Sequence, residues 1–249
     1  MTATAPKQRS RTAEQILDLA EILIQTRGYS AFSYQDISDA LGMTKASIHY
    51  HFASKTDLGI AVVDRYVERF GAALIAIAED QSQPSMAMLD FYIEPYVKYA
   101  STPDQVCLSG ALAGEILALP PELRARVDGF FKAHQIWLTG ILERGVARGE
   151  FKLPAPASKV ARLVFGALQG ALLVKRTTGD TSQLRDVVAV MKLQRGPMMK
   201  SVDDSADDRA VASEALPILP NPLPKTLPRR IFLRCGRRSR FGLLPTKTH

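Results

Sequence analysis

From Thr12 onward, apolar residues recur three and four apart, at Ala13, Ile16, Leu17, Ala20, Leu23 and Ile24, and Gly28 follows where a cap belongs. That spacing predicts a first amphipathic helix closed by a residue free to turn left-handed. Ser33 then precedes "YQDISDAL", with Asp36 three residues on and Ile37, Ala40 and Leu41 on one face before Gly42. The frame is a capping box around a helix of about two turns. After Gly42 and Met43, Thr44 caps a third helix whose Ile48 and Phe52 face inward, leaving Lys45, Ser47, His49 and Tyr50 outward. Ser54, with Asp57 three residues later, opens a long helix that continues through "AVVDRYVERFGAALIAIAED". Further helices are predicted at 84–101, 103–118, 120–148, 157–177 and 181–193, with Pro120 and Pro121 at one start and Pro154 and Pro156 at another boundary. The chain is therefore expected to be all-α.

Two short helices joined by a glycine-containing turn have helix-turn-helix geometry, in which the second helix enters the major groove of DNA and the first crosses the backbone. Thr44 and Lys45 fall at the N-terminal end of that second helix, where unpaired backbone N–H groups favour a phosphate. Lys55, just behind the Ser54 cap, is a second phosphate candidate. Helical hairpins are common, and "HYH" on a surface helix means little by itself. The three caps, two turn glycines and closing "FASK" separate this stretch from a generic hairpin.

Residues 11–58 resemble the DNA-binding domain of the TetR family of bacterial transcriptional regulators, whose pattern runs F-S/T-x-x-D/E-I-x-x-x-x-G-V-S/T-x-x-x-I/L-Y-x-H/Y-F-x-S/N-K-x-x-L. The matching residues are Phe32, Ser33, Asp36, Ile37, Gly42, Thr44, Ile48, Tyr50 in a shifted place, His51, Phe52, Ser54, Lys55 and Leu58. Where the family usually carries a tyrosine, this chain has His49, a hydrogen-bonding ring whose charge depends on pH. The resemblance implies double-stranded DNA as partner, with contacts from Ser33, Tyr34, Thr44, Lys45, Ala46, Ser47, His49, Tyr50, His51 and Lys55. It also implies a repressor that binds a palindromic operator as a homodimer and is released by a small-molecule effector. The expected organisation is an N-terminal arm (1–10, disordered), the three-helix DNA-binding domain (11–58), an all-helical ligand-binding and dimerisation domain (59–194) and a tail (195–249).

In the second half, Val160, Leu163, Val164, Ala167, Leu168, Ala171 and Leu172 form a stripe, and Gly166 and Gly170 permit close backbone approach. Such a stripe serves either the helix's own domain or an isologous dimer in which it and the 181–193 helix pair with their copies as a four-helix bundle. The dimer residues expected are Leu163, Val164, Gly166, Ala167, Gly170 and Ala171. An effector site among the middle helices would draw on Phe70, Leu74, Phe91, Tyr92, Tyr96, Cys107, Phe130, Phe131, His134 and Trp137, residues that would otherwise be plain core. Cys107 sits in a "C-L-x-x-x-L" context resembling that of regulators of the N-ethylmaleimide repressor type, which implies an electrophile-sensing alternative beside simple burial. A third alternative is a helical interaction module that reads no DNA sequence.

Composition narrows the remaining choices. Of 249 residues, 46% are apolar, enough for a substantial core. The net charge of +7 resides mostly in the tail. Residues 1–58 hold six basic and six acidic residues, 59–194 fifteen and fourteen, and 195–249 eleven and five. Net charge alone is thus no argument for DNA binding here. Cys107 and Cys235 lie too far apart for a disulfide framework, and the apolar runs at 70–78 and 163–174 are too short to span a bilayer. With no basic-then-apolar leader, a bacterial cytoplasmic protein is expected, at the nucleoid when bound to DNA, with no membrane partner. His49 and His51, two apart on a helix, point to different sides and make no metal pair. No phosphate-cradling loop or nucleophile elbow is found, so neither an enzyme nor a cofactor is indicated. The tail is acidic in "SVDDSADDRA", proline-rich in "LPILPNPLPKTLPRR" and basic in "RRIFLRCGRRSRF", a composition that favours disorder. It is either a basic arm adding phosphate contacts or an appendage without a role, even an out-of-frame extension.

Overall fold

The computed structural model describes residues 9–80, 82–150 and 152–193, and among these every regular element is helical. The elements are α1 Arg11–Arg27, α2 Tyr34–Leu41, α3 Lys45–His51, α4 Lys55–Glu79, α5 Ser85–Ala100, α6 Leu108–Ala113, a 3₁₀ turn Ile116–Ala118, α7 Pro121–Ala147, α8 Ala157–Thr178 and α9 Ser182–Leu193. The tail from 195 lies outside the described residues, as does the N-terminal arm up to residue 8.

Local chemistry sets the first four boundaries. The Ser10 hydroxyl accepts the Ala13 amide at 3.2 Å, and Thr44 accepts that of Ser47 at 3.2 Å. Ser33 with Asp36, and Ser54 with Asp57, each close a reciprocal capping box. Gly42 ends α2 at φ 66°, a left-handed position that a side chain adopts only with strain. Ile16, Leu17, Ile24, Ile37, Ile48 and Leu58 from α1 to α4 are fully buried and form the core under the short helices.

Helix α4 runs unbroken through residue 58, so the boundary expected there falls inside a helix. An ion-pair cluster fastens α1 along it. Arg65 of α4 reaches Glu14, Asp18 and Glu21 of α1 at 2.9, 2.7 and 3.0 Å, and Arg69 reaches Glu21 at 2.6 Å. The Glu21 side chain is 4% exposed, so removing one partner would strand buried charge, a cost much larger than that of breaking a surface pair.

The expected single helix over 103–118 is not what forms. Asp104 has a positive φ of 59°, and the Val106 amide donates to the Gln25 carbonyl of α1 at 3.3 Å, so the chain is drawn across α1 before it coils. Only the six residues of α6 are α-helical, and the 3₁₀ turn follows after Gly114 and Glu115. Val106, Cys107 and Leu108 are consecutive and buried, a sequence of contacts that one helical face cannot supply.

By length and composition α8 could cross a membrane, more than its apolar run alone suggested. Here it packs mainly on α7 and α9, with Val160, Ala161, Phe165, Leu168, Ala171 and Leu172 turned inside the bundle.

Candidate DNA-reading surface

Because Ile48 is buried, its neighbours on α3 face away from the core. Thr44, Lys45, Ala46, His49 and Tyr50 are exposed, and Tyr50 reaches 86%. An aromatic side chain left that open on a short helix has no packing role in this chain. His51 is half-buried with its ring edge-on to Tyr50 at 5.1 Å, and Ser47 is half-buried beside the Thr44 cap. The His49 Nδ1 lies 3.1 Å from the Ala53 carbonyl. A carbonyl only accepts, so Nδ1 carries the hydrogen and Nε2 is the polar atom left over, an acceptor in the neutral ring and a donor in the imidazolium.

Two residues expected at the DNA are committed elsewhere. Tyr34 is buried, and its hydroxyl donates to the Phe52 carbonyl at 2.9 Å, tying α2 to the end of α3. Burial pushes its phenol pKa well up. The resemblance implied a DNA contact, but α2 turns the Tyr34 ring against His49 at 4.7 Å. The Lys55 ammonium donates to the Phe32 carbonyl at 2.5 Å and lies over the rings of Tyr29 and Phe32 at 4.7 and 4.5 Å. It is held within the domain, and this partial burial lowers its pKa. The exposed Ser33 hydroxyl is engaged in its capping box, donating to Asp36 at 2.8 Å.

These side chains line a cleft of about 410 Å³ formed by Phe32, Ser33, Tyr34, Gln35, Lys45, His49 and Lys55. Gln35, which the sequence reading did not single out, lines it from the first turn of α2.

The middle helices bring together most of the residues expected at an effector site. Tyr92 stacks on Trp137 at 5.4 Å, its hydroxyl lies 3.0 Å from His134 Nδ1, and that imidazole lies 3.9 Å from the Phe130 ring. The Trp137 indole donates to the Leu74 carbonyl at 2.9 Å, and Phe131 meets Phe165 edge-on at 5.0 Å. Phe70 packs on Tyr66 at 4.5 Å, Tyr96 receives a bond from Gln169 at 3.3 Å, and Phe91 is half-buried. Tyr66, Tyr99 and Gln169, which the sequence reading did not single out, adjoin this cluster: the Tyr66 and Tyr99 hydroxyls lie 3.1 Å apart, and Tyr66 stands one turn before Phe70 on α4. Burial drives the His134 pKa down to about 4, so the ring is neutral at pH 7. Cys107 is 2% exposed, with its sulfur 3.6 Å from the Tyr66 hydroxyl.

The stripe on α8 divides between two faces. Ala171 is buried inside the chain and leaves the expected dimer set, whereas Leu163 is 68% exposed, Gly166 is exposed, and Val164, Ala167 and Gly170 are partly so. Leu173, Val174 and, on α9, Val190 extend this apolar exterior. Among the described residues no group of three or more His, Cys, Asp or Glu side chains could hold a metal ion.

A capped helix-turn-helix with an open polar face, continuous through α4 with a larger helical half, defines the class of one-chain DNA-binding regulators. Comparison with known proteins narrows this. The sequence profile described as bacterial regulatory proteins, tetR family, matches residues 16–62, and that described as tetracyclin repressor-like, C-terminal domain, matches 86–191. A TetR transcriptional regulator from Legionella pneumophila is 30% identical, with 76% of this chain and all of that one covered at a TM-score of 0.68. A TetR-family regulator from Agrobacterium tumefaciens is 33% identical, with 74% and 97% covered at 0.69. An uncharacterised helix-turn-helix transcriptional regulator of Lactococcus lactis is 28% identical over 196 residues, 73% of this chain and 91% of that protein. The chain belongs to the TetR family of bacterial transcriptional regulators, proteins that are not enzymes.

Proposed function

We propose that the protein is a cytoplasmic repressor that binds a palindromic operator as a homodimer and is released by a small-molecule effector held among α4, α5, α7 and α8. The observation that carries this reading is the face of α3, where Lys45, Ala46, His49 and Tyr50 stand exposed over a fully buried Ile48. Short donors at the start of such a helix reach phosphates, and the side chains beyond them reach base edges. The effector shifts the balance between two arrangements of the reading heads, by the usual coupling of about 1 to 3 kcal/mol.

The test is binding of the purified protein to its own upstream DNA and to scrambled DNA of equal length, across a salt series, beside a chain ending at Gln194. Preference for the upstream DNA is expected to survive both raised salt and loss of the tail. Equal binding to the two DNAs, collapsing without the tail, would reduce the activity to sequence-independent phosphate contact.

Dimerisation is supported by the exterior of α8 and α9. Leu163 at 68% and Val190 at 56% exposure leave apolar area in water that a two-fold partner would cover. A Cβ at Gly166 or Gly170 would meet nothing within 4 Å in this chain, so neither glycine is required by the chain's own packing. Leu163→Glu is expected to raise the dimer dissociation constant at least about tenfold, in line with burying an unpaired charge in an apolar interface. Sedimentation at graded concentrations reads this, and identical profiles for variant and wild type would move the interface elsewhere.

A further inference from the structure

The last turn of a helix leaves carbonyl groups without partners inside the helix. At the end of α1 the regulatory half supplies donors to two of them. The Gln25 carbonyl receives the Val106 amide, and the Thr26 carbonyl receives Arg176 Nη2 at 2.6 Å from the last turn of α8, 150 residues away. The Gln25 side chain is itself buried and receives Gln105 Nε2 at 2.6 Å. Beyond the helix, the Ser30 amide donates to Glu115 Oε2 at 2.8 Å, between α6 and the 3₁₀ turn. The other oxygen of that carboxylate lies 2.1 Å from where a Cβ on residue 28 would stand, so Gly28 admits Glu115 as well as adopting a φ of 97°.

Arg176 does not act alone on α8. Its neighbour Lys175 is buried and donates to the carbonyls of Tyr99 and Thr102 at the end of α5. Adjacent cations of one turn thus sit at the C-terminal ends of two helices, where positive charge is favoured. One belongs to the regulatory half, and the other leads into the helix-turn-helix. Only residues 31 and 32 separate Ser30, held by Glu115, from Ser33, the cap of α2. A displacement of α8 or of the α6 segment is therefore delivered at the start of the reading head.

We propose that Arg176 and Glu115 are positioning residues, two side chains of the regulatory half that set the placement of α2 and α3 through the end of α1 and its following loop. The inference rests on the DNA-reading assignment above. Because α8 is also the proposed dimer helix, the Arg176 bond links the two-fold interface directly to the head whose spacing on DNA must be kept.

The test uses the full chain with Arg176→Met and Glu115→Ala, which remove the donor and the acceptor, and with Arg176→Lys and Glu115→Gln, which keep them. Hydrogen exchange over residues 28–33 is measured without DNA, together with the thermal midpoint and affinity for the upstream DNA. Arg176→Met and Glu115→Ala are expected to speed exchange and weaken DNA binding by roughly tenfold each, within the usual span of coupling effects, with Lys and Gln restoring most of both. Exchange and affinity equal to wild type overturn the inference. So does a loss that merely follows a fallen midpoint and is not rescued by the conservative variants, because that is the signature of lost stability alone. Tyr50→Ala is the control for the reading itself: if it binds upstream DNA like wild type, the reading assignment fails, and the exchange experiment alone judges the joint.

Discussion

Replacing Lys45 and Tyr50 together by alanine is expected to lower affinity for the upstream DNA by about 100-fold while leaving the thermal midpoint near that of the wild type. Neither residue belongs to the core: both are exposed on α3, Tyr50 at 86%. A lost base-edge or stacking contact costs about 1 to 3 kcal/mol, and a lost phosphate contact reduces the salt slope by about one. The two parts separate in the measurement. Lys45→Ala should weaken upstream and scrambled DNA alike and flatten the salt dependence, whereas Tyr50→Ala should erode the difference between them. Tyr34→Phe serves as the contrast, because it removes a bond to the Phe52 carbonyl inside the domain. It should cost about 1 kcal/mol of stability with unchanged DNA preference. Unaltered upstream binding by the double variant would exclude this face of α3 as the reading surface.

Acid should destabilise the protein through His134. The folded pKa is about 4 and the unfolded reference about 6.5, so the folded state holds fewer protons between them. The neutral ring's contribution is complete above pH 6.5 and is lost as pH falls toward 4, about 3 kcal/mol in all. Its cause is burial: the ring is 7% exposed and packed between Phe130 and Phe165. His134→Gln keeps a polar group near Tyr92 but cannot take up this proton. The denaturation midpoint of wild type, followed from pH 7 to 4, should fall more steeply than that of the variant. Parallel curves would mean that His134 is no more buried in solution than in the unfolded chain.

Much of the reading domain was legible because its determinants are local. Ser33 with Asp36, Thr44 with Ser47, and Ser54 with Asp57 act over three residues, and Gly28 and Gly42 supply the positive φ that stops α1 and α2. Periodicity likewise told that Ile37 and Ile48 face inward and Tyr50 outward. These properties follow from the 3.6-residue repeat and from hydrogen bonds within one turn, so the sequence by itself determined the all-helical class, the helix-turn-helix and its open face.

What remained depended on partners far along the chain. Nothing near Tyr34 or Lys55 announces that Phe52 and Phe32 carbonyls will claim them, and nothing near residue 106 announces Gln25. The α8 stripe had a correct helical period, yet period alone does not say which part of an apolar face the chain covers. Packing on α7 and α9 buries Ala171 and leaves Leu163 in water. The same holds for the end of α1, whose Thr26 carbonyl meets Arg176 only after 150 residues of chain have folded back. Tertiary structure decided these points because each depends on which surfaces meet, a choice set by the sum of many long-range contacts rather than by the spacing of residues along one helix.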